Sequence, residues 1–241
     1  MGTGSSSIMQ SIVLRQAQEL LGVSHATVWR TLHEDRMHLY HLQRVQVLTP
    51  ADYPLHVNFA HCYLQQAAAN ATFPADILFT DEATHNSHLW ANDNPHGYQE
   101  RFSINVWAGI VYNNLVGPYI LPSRLTSHTY GIFLQEVLPE LLVCLPPAVR
   151  TRMWFQHNGV LAHSSRNIRN HLDTVYGQHW IGWGRPVPWP PHSPDLTCLV
   201  FFFWGHIKST VYNSPITSED DLVARLSVAA GNVRDMPDVF Y

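Results

Sequence analysis

At 241 residues with 46% hydrophobic content, the chain is long enough for one main domain with a substantial core and a small appendage. A formal net charge of -4, with Lys208 as the only lysine, argues against a strong general electrostatic hold on nucleic acid, which needs clustered Lys and Arg. Cys62, Cys144 and Cys198 are far apart and form no C-x-x-C pair, so no disulfide framework or zinc site is expected and the compartment reads as a reducing one.

Residues 1–10 open on Met1-Gly2-Thr3-Gly4-Ser5-Ser6-Ser7, small and polar, with no basic stretch leading into an apolar core. They read as a disordered lead-in and not as a secretory signal. Gly2 and Ser6 meet the minimal myristoylation pattern, but no polybasic segment supports it.

Residues 11–48 carry a helix, tight turn, helix pattern. Gly22 is suited to the left-handed conformation that ends the first helix, and Ser24 to capping the second. Read as a partial helix-turn-helix, the segment presents His25, Thr27 and Arg30 to DNA and turns Val28 and Leu32 inward. An ordinary helical hairpin fits the same spacing equally well. Arg15, Arg30, Arg36 and Arg44 stand against Glu19, Glu34 and Asp35, so DNA contact from this segment alone is expected to be weak and salt-sensitive.

Residues 49–75 form a polar crossing and then a helix from Leu55 to Ala69. From residue 76 to 241 the pattern becomes α/β. Strands are expected at Ile77–Thr80, Ile104–Val111, Pro118–Leu121, Met153–Phe155 and Trp180–Ile181. Helices are expected at Tyr130–Val143, Ser164–Val175 with Ser164 as cap, Leu196–Lys208 and Ser218–Ala230. Leu196 to Trp204 is the most apolar stretch, far shorter than the roughly 20 residues a bilayer span needs, and Phe201 to Trp204 read as core. Three strands followed by alternating helices and strands predict a mixed sheet covered on both faces.

An ordered series of phrases then narrows the reading. It comprises Phe79-Thr80-Asp81-Glu82-Ala83, Asn105-Val106-Trp107-Ala108-Gly109-Ile110, Met153-Trp154-Phe155-Gln156, Ala162-His163, the run from Trp189 to Thr197, and Phe202-Phe203-Trp204-Gly205. The series resembles the transposases of the mariner superfamily, in the form of the copies found in arthropod genomes. The resemblance implies a ribonuclease H-like domain that cuts and joins DNA, preceded by helix-turn-helix DNA binding. It also implies a first DNA-binding module and a leading helix that this sequence does not carry, so N-terminal truncation is expected.

Such chemistry uses two Mg²⁺ ions about 4 Å apart, and hard cations want charged oxygen ligands. The resemblance puts the first of three carboxylates at Asp81. The second falls within Phe155-Gln156-His157-Asn158-Gly159-Val160-Leu161-Ala162-His163, where Asn158 holds the acidic position. The third falls within Ser193-Pro194-Asp195-Leu196-Thr197-Cys198-Leu199-Val200, where Val200 holds it. The resemblance therefore implies that Asp81 is an ancestral metal ligand left without its partners. Asp195, in the loop before the helix, is expected to cap backbone; Glu82, next to Asp81 on a strand, points to the other face.

Between Thr84 and His85 the family has several more residues, so the first strand is expected to be cut short. His85, His88 and His96 read as loop histidines, and His163 as orienting the loop after the fourth strand. The expected function is a degenerate, catalytically inactive transposase with residual DNA binding and no working cofactor, Mg²⁺ or Mn²⁺ belonging to the ancestral enzyme. The alternative is a retained DNA-binding regulator or inhibitor of transposition. Expected partners are transposon-end DNA, a second copy or an active transposase, with no membrane, and the expected location is nuclear. A third possibility is that the fold itself fails.

Overall fold

The computed structural model describes residues 47–86, 103–183, 185 and 187–236, all within the unit Val45–Tyr241. His25, Thr27, Arg30, His88 and His96 lie outside the described residues. Helix α1 (Tyr53–Ala69) and a single turn, α2 (Phe73–Asp76), lead into strand β1 (Ile77–Asn86). Then come β2 (Ser103–Val111), β3 (Asn114–Leu121), α3 (Ser127–Ile132), α4 (Leu138–Leu142), α5 (Pro147–Arg152) and β4 (Trp154–Gln156). Helix α6 (Arg166–Tyr176), β5 (Trp180–Ile181), α7 (Trp204–Val211) and α8 (Glu219–Arg234) complete the order.

The strands form one mixed sheet in the order β3-β2-β1-β4-β5, antiparallel through β1, β2 and β3 and parallel where β4 joins β1 and β5 joins β4. Strand β2 shows why both faces are covered. Ile104, Val106, Ala108 and Ile110 enter one core with residues of α7 and α8, while Trp107 and Val111 enter the other with α3, α4 and α6. Side chains alternate along a strand, so a run that is apolar at successive positions needs cover on each side. Gly109 follows from the same crowding: a Cβ there would lie 2.9 Å from Leu78 Cδ1 and 3.0 Å from Trp107 Cη2.

The expectation of a shortened first strand is corrected. Strand β1 runs ten residues and pairs with β2 without interruption from Phe79 opposite Ile110 to Asn86 opposite Ser103. His85 is fully buried in that strand, not in a loop, its ring 5.7 Å from Trp204 and 6.5 Å from Tyr212. Burial holds the His85 imidazole down at about 4, so it sits neutral in the core at neutral pH. Backbone pairing with β2 and this aromatic packing carry the strand past Thr84 whatever the family has there.

Two helices contain π segments. Phe133–Val137 precedes Pro139, whose missing N–H and ring cannot continue an α ladder. Leu199–Phe203 precedes α7, and the Trp204 N–H reaches back to the Leu199 carbonyl. Caps differ in detail from the expectation: Ser165, not Ser164, accepts from the Ile168 N–H at the start of α6. Asp195 lies in the 3-10 turn Pro194–Leu196 and Thr197 Oγ1 accepts from Leu199 N–H instead, so Asp195 is not the cap. Ser218 caps α8 as its position suggests. No helix among the described residues is long and apolar enough to cross a membrane.

Candidate functional site

Asp81 sits in β1 opposite Ala108 and so faces the side covered by α7, while Glu82, opposite Trp107, faces the other. Strand β4 pairs in parallel with β1, placing Gln156 beside Phe79, and Asn158 follows two residues later. Val200 enters from the π segment Leu199–Phe203. All three sequence-identified positions, Asp81, Asn158 and Val200, line one cleft of about 700 Å³. Its other walls come from Thr80, Gln156, Leu55, Val160, Trp183 and the stretch from Pro188 to Pro194.

That proline-rich wall is fixed to the start of α1. The His192 Nδ1 lies 3.1 Å from Asp52 Oδ2, and His56 Nε2 lies 2.8 Å from the Pro191 carbonyl and 3.3 Å from Ser193 Oγ. Trp189 packs edge-on against Phe59, ring centroids 5.3 Å apart. On the floor, Thr80 donates its N–H to Gln156 Oε1 at 3.1 Å and its hydroxyl to the Gln156 carbonyl at 2.7 Å. The Gln156 side chain thus extends the β1–β4 ladder past the end of β4.

Asp81 is held by two donors. Asn158 Nδ2 donates to Oδ1 at 3.1 Å and Trp204 Nε1 donates to Oδ2 at 2.9 Å. The orientation of the Asn158 amide is fixed by its other end, because Oδ1 accepts from the Val160 N–H at 3.1 Å. Turning the amide to aim its oxygen into the cleft would break both bonds and set oxygen against the Asp81 carboxylate. Burial, with the neighbouring Glu82 charge second, pushes the Asp81 carboxyl up to about 6, against the pull of the Trp204 indole, the Glu82 backbone N–H and the Asn158 amide. Trp204 was legible only as a core residue, yet a buried indole N–H needs an acceptor. That need was the available signal.

Behind β1, on the opposite side of the sheet from Asp81, lies a second polar group. Tyr130 stacks on His163 at 4.0 Å and His163 on His157 at 5.1 Å, while Glu82 Oε1 approaches His163 Nε2 to 3.3 Å without hydrogen-bond geometry. Burial, then the adjacent His163, pulls the His157 imidazole well down. His163 Nδ1 lies 3.3 Å from the Asn158 carbonyl, so it does brace the loop after β4.

No family model matches the chain, and no curated protein matches it. Solved structures do. The Mos1 transposase paired-end complex with left transposon end aligns with a TM-score of 0.58 at 16% identity, covering 93% of this chain and 70% of that one. The Mos1 transposase catalytic domain with raltegravir and Mg aligns at 0.59 and 14%, covering 76% and 84%. A second structure of the Mos1 mariner transposase catalytic domain aligns at 0.57 and 14%, covering 80% and 98%.

A Mg²⁺ ion, as named with one of those neighbours, does not fit the donor set of this cleft. One carboxylate already accepts two N–H bonds, an amide turns its NH₂ inward, and an isopropyl group stands at the third position. Among the described residues no group of three His, Cys, Asp or Glu side chains is placed to hold a metal.

Proposed function

From a chain with the fold of a mariner-type transposase catalytic domain, we propose a degenerate transposase that keeps the DNA-related architecture and has lost DNA cleavage and joining. The observation that carries this reading is the inward-turned amide of Asn158 on Asp81. A metal-dependent centre needs oxygen lone pairs at that point, and the chain supplies an N–H. Val200 offers no ligand atom at the third position, so two ligands are missing together.

The test incubates the full chain with supercoiled plasmid and with mariner-type transposon-end DNA, in Mg²⁺ and in Mn²⁺. No nicking above a no-protein control is expected. Nicking that disappears in Asp81→Ala would overturn the reading. The paired restoration Asn158→Asp with Val200→Asp is expected to regain Mn²⁺-dependent nicking.

A second reading, retention as a DNA-binding regulator or inhibitor, draws on the continuity of both cores around a site left with a single carboxylate. In this reading the chain holds transposon ends, as a homodimer or in assembly with active transposase, in the nucleus. A mobility shift with transposon-end DNA that weakens with salt and is lost in Arg30→Ala supports it; no shift at low salt removes it.

A further inference from the structure

The lining of the cleft suits a ligand other than a metal ion. None of its lining residues is Lys or Arg, and its one charged residue is Asp81, so a phosphodiester has no partner inside it and meets a like charge. Much of its lining is nonetheless apolar. Trp183, Trp189, Val160 and Leu55 line it together with four prolines, and so do Asp81 and Asn158, whose bonds to each other, to Trp204 and to Val160 leave a second lone pair on each Asp81 oxygen and a second N–H on Asn158 Nδ2. Trp183 is 57% exposed, and the guanidinium of Arg169, carried on the rigid frame of α6, lies over its ring, 5.7 Å from the centroid. An exposed indole backed by a cation is a stacking platform for a planar group that brings a negative charge with it.

We propose that this cleft takes an unpaired nucleobase of single-stranded DNA, stacked on Trp183 with its polar edge toward Asp81 and Asn158 and its phosphate outside beside Arg169. The choice of nucleic acid rests on the transposase reading above; the choice of an unpaired base rests on the cleft. A base-paired duplex cannot offer a free base face and edge to such a pocket without extruding the nucleotide, which costs a few kcal/mol. A single strand bears no such cost. Every base has a π-face, so the site is expected to tolerate sequence.

The experiment titrates the full chain with a short fluorescein-labelled single-stranded oligodeoxynucleotide and with the blunt duplex of the same sequence, followed by anisotropy and by tryptophan quenching. Single-stranded DNA is expected to bind more tightly than duplex. Trp183→Ala is expected to weaken single-strand binding roughly 5- to 150-fold, the range for loss of one stacked base, with Trp183→Phe recovering most of it. Arg169→Ala is expected to reduce both affinity and its salt dependence. Single-strand affinity unchanged in Trp183→Ala overturns the proposal, as does duplex bound as tightly as single strand. Duplex binding unaffected by Trp183→Ala, with no single-strand binding, overturns the base pocket and leaves DNA holding in place. Absence of binding to either DNA overturns the pocket and the DNA-holding reading together, and leaves the nicking test to decide catalysis.

Discussion

Asp81 is a carboxylate with a hydrogen-bonding role where a metal-binding role is expected, and the difference has a measurable sign. Its folded value of about 6 is above the 3.8 of an ordinary Asp, chiefly because it is buried. A group raised on folding contributes stability that is full below the unfolded value and is lost as pH rises through the folded one. For Asp81 the window is about pH 4 to 6, and the distance between the two values corresponds to roughly 3 kcal/mol. His85, held down at about 4 by burial, acts oppositely in an overlapping window, contributing above its unfolded value and losing that as pH falls through 4. Raw stability against pH mixes the two, so the readout is a difference. The stability of Asp81→Asn minus that of the unmodified chain, from urea unfolding between pH 4 and 7.5, is expected to rise by about 2–3 kcal/mol as pH increases. A flat difference would mean that Asp81 ionises normally and that its partners fully offset its burial.

At the scale of elements, β1 and β2 govern the site because Asp81 rides on their pairing. Phrase order made the strands, the joint placement of residues 81, 158 and 200, and the opposed faces of Asp81 and Glu82 legible in advance, since a two-residue period and family spacing both act locally. The full length of β1 was not legible: a gap relative to a family says where residues are missing, while pairing with β2 and the burial of His85 decide where a strand stops. The π segments escaped for a similar reason, because an i to i−5 bond leaves no mark in hydrophobic periodicity, although Pro139 marks one of the two sites. Phe201, expected in the core, is 53% exposed, since the π turn rotates successive side chains of Leu199–Phe203 away from a regular stripe. Packing at the β1–β2 seam supplies the test at this scale. Gly109→Ala puts a methyl group 2.9 Å from Leu78 Cδ1 and 3.0 Å from the Trp107 ring, and overpacking of that kind costs about 1–3 kcal/mol. Urea unfolding is expected to show a loss in that range, partly recovered in the double variant Gly109→Ala with Leu78→Val. No loss would mean that the indole of Trp107 is free to move off the strand.

For the molecule as a whole, metal linkage distinguishes a decayed centre from a rearranged one without relying on activity. A ligand that binds only the folded state stabilises it by an amount set by its concentration over its dissociation constant, about 2.7 kcal/mol at a hundredfold excess. The unmodified chain offers one carboxylate with both oxygens engaged, so its melting temperature is expected to be the same in 10 mM Mg²⁺ or 1 mM Mn²⁺ as in chelator. The restored variant, Asn158→Asp with Val200→Asp, should move in two directions. Without metal, three acids converge on one cleft and repel, while Asp81 loses the N–H of Asn158, so the melting temperature falls below that of the unmodified chain. With metal the repulsion becomes coordination and the temperature rises by several degrees, at about 2–4 °C per kcal/mol for a domain of this size. Differential scanning fluorimetry across a metal titration reads both effects. A metal-dependent rise in the unmodified chain, abolished by Asp81→Ala, would show that the inward face of Asn158 gives way to a cation, and the description of Asp81 as an orphan would fail with it.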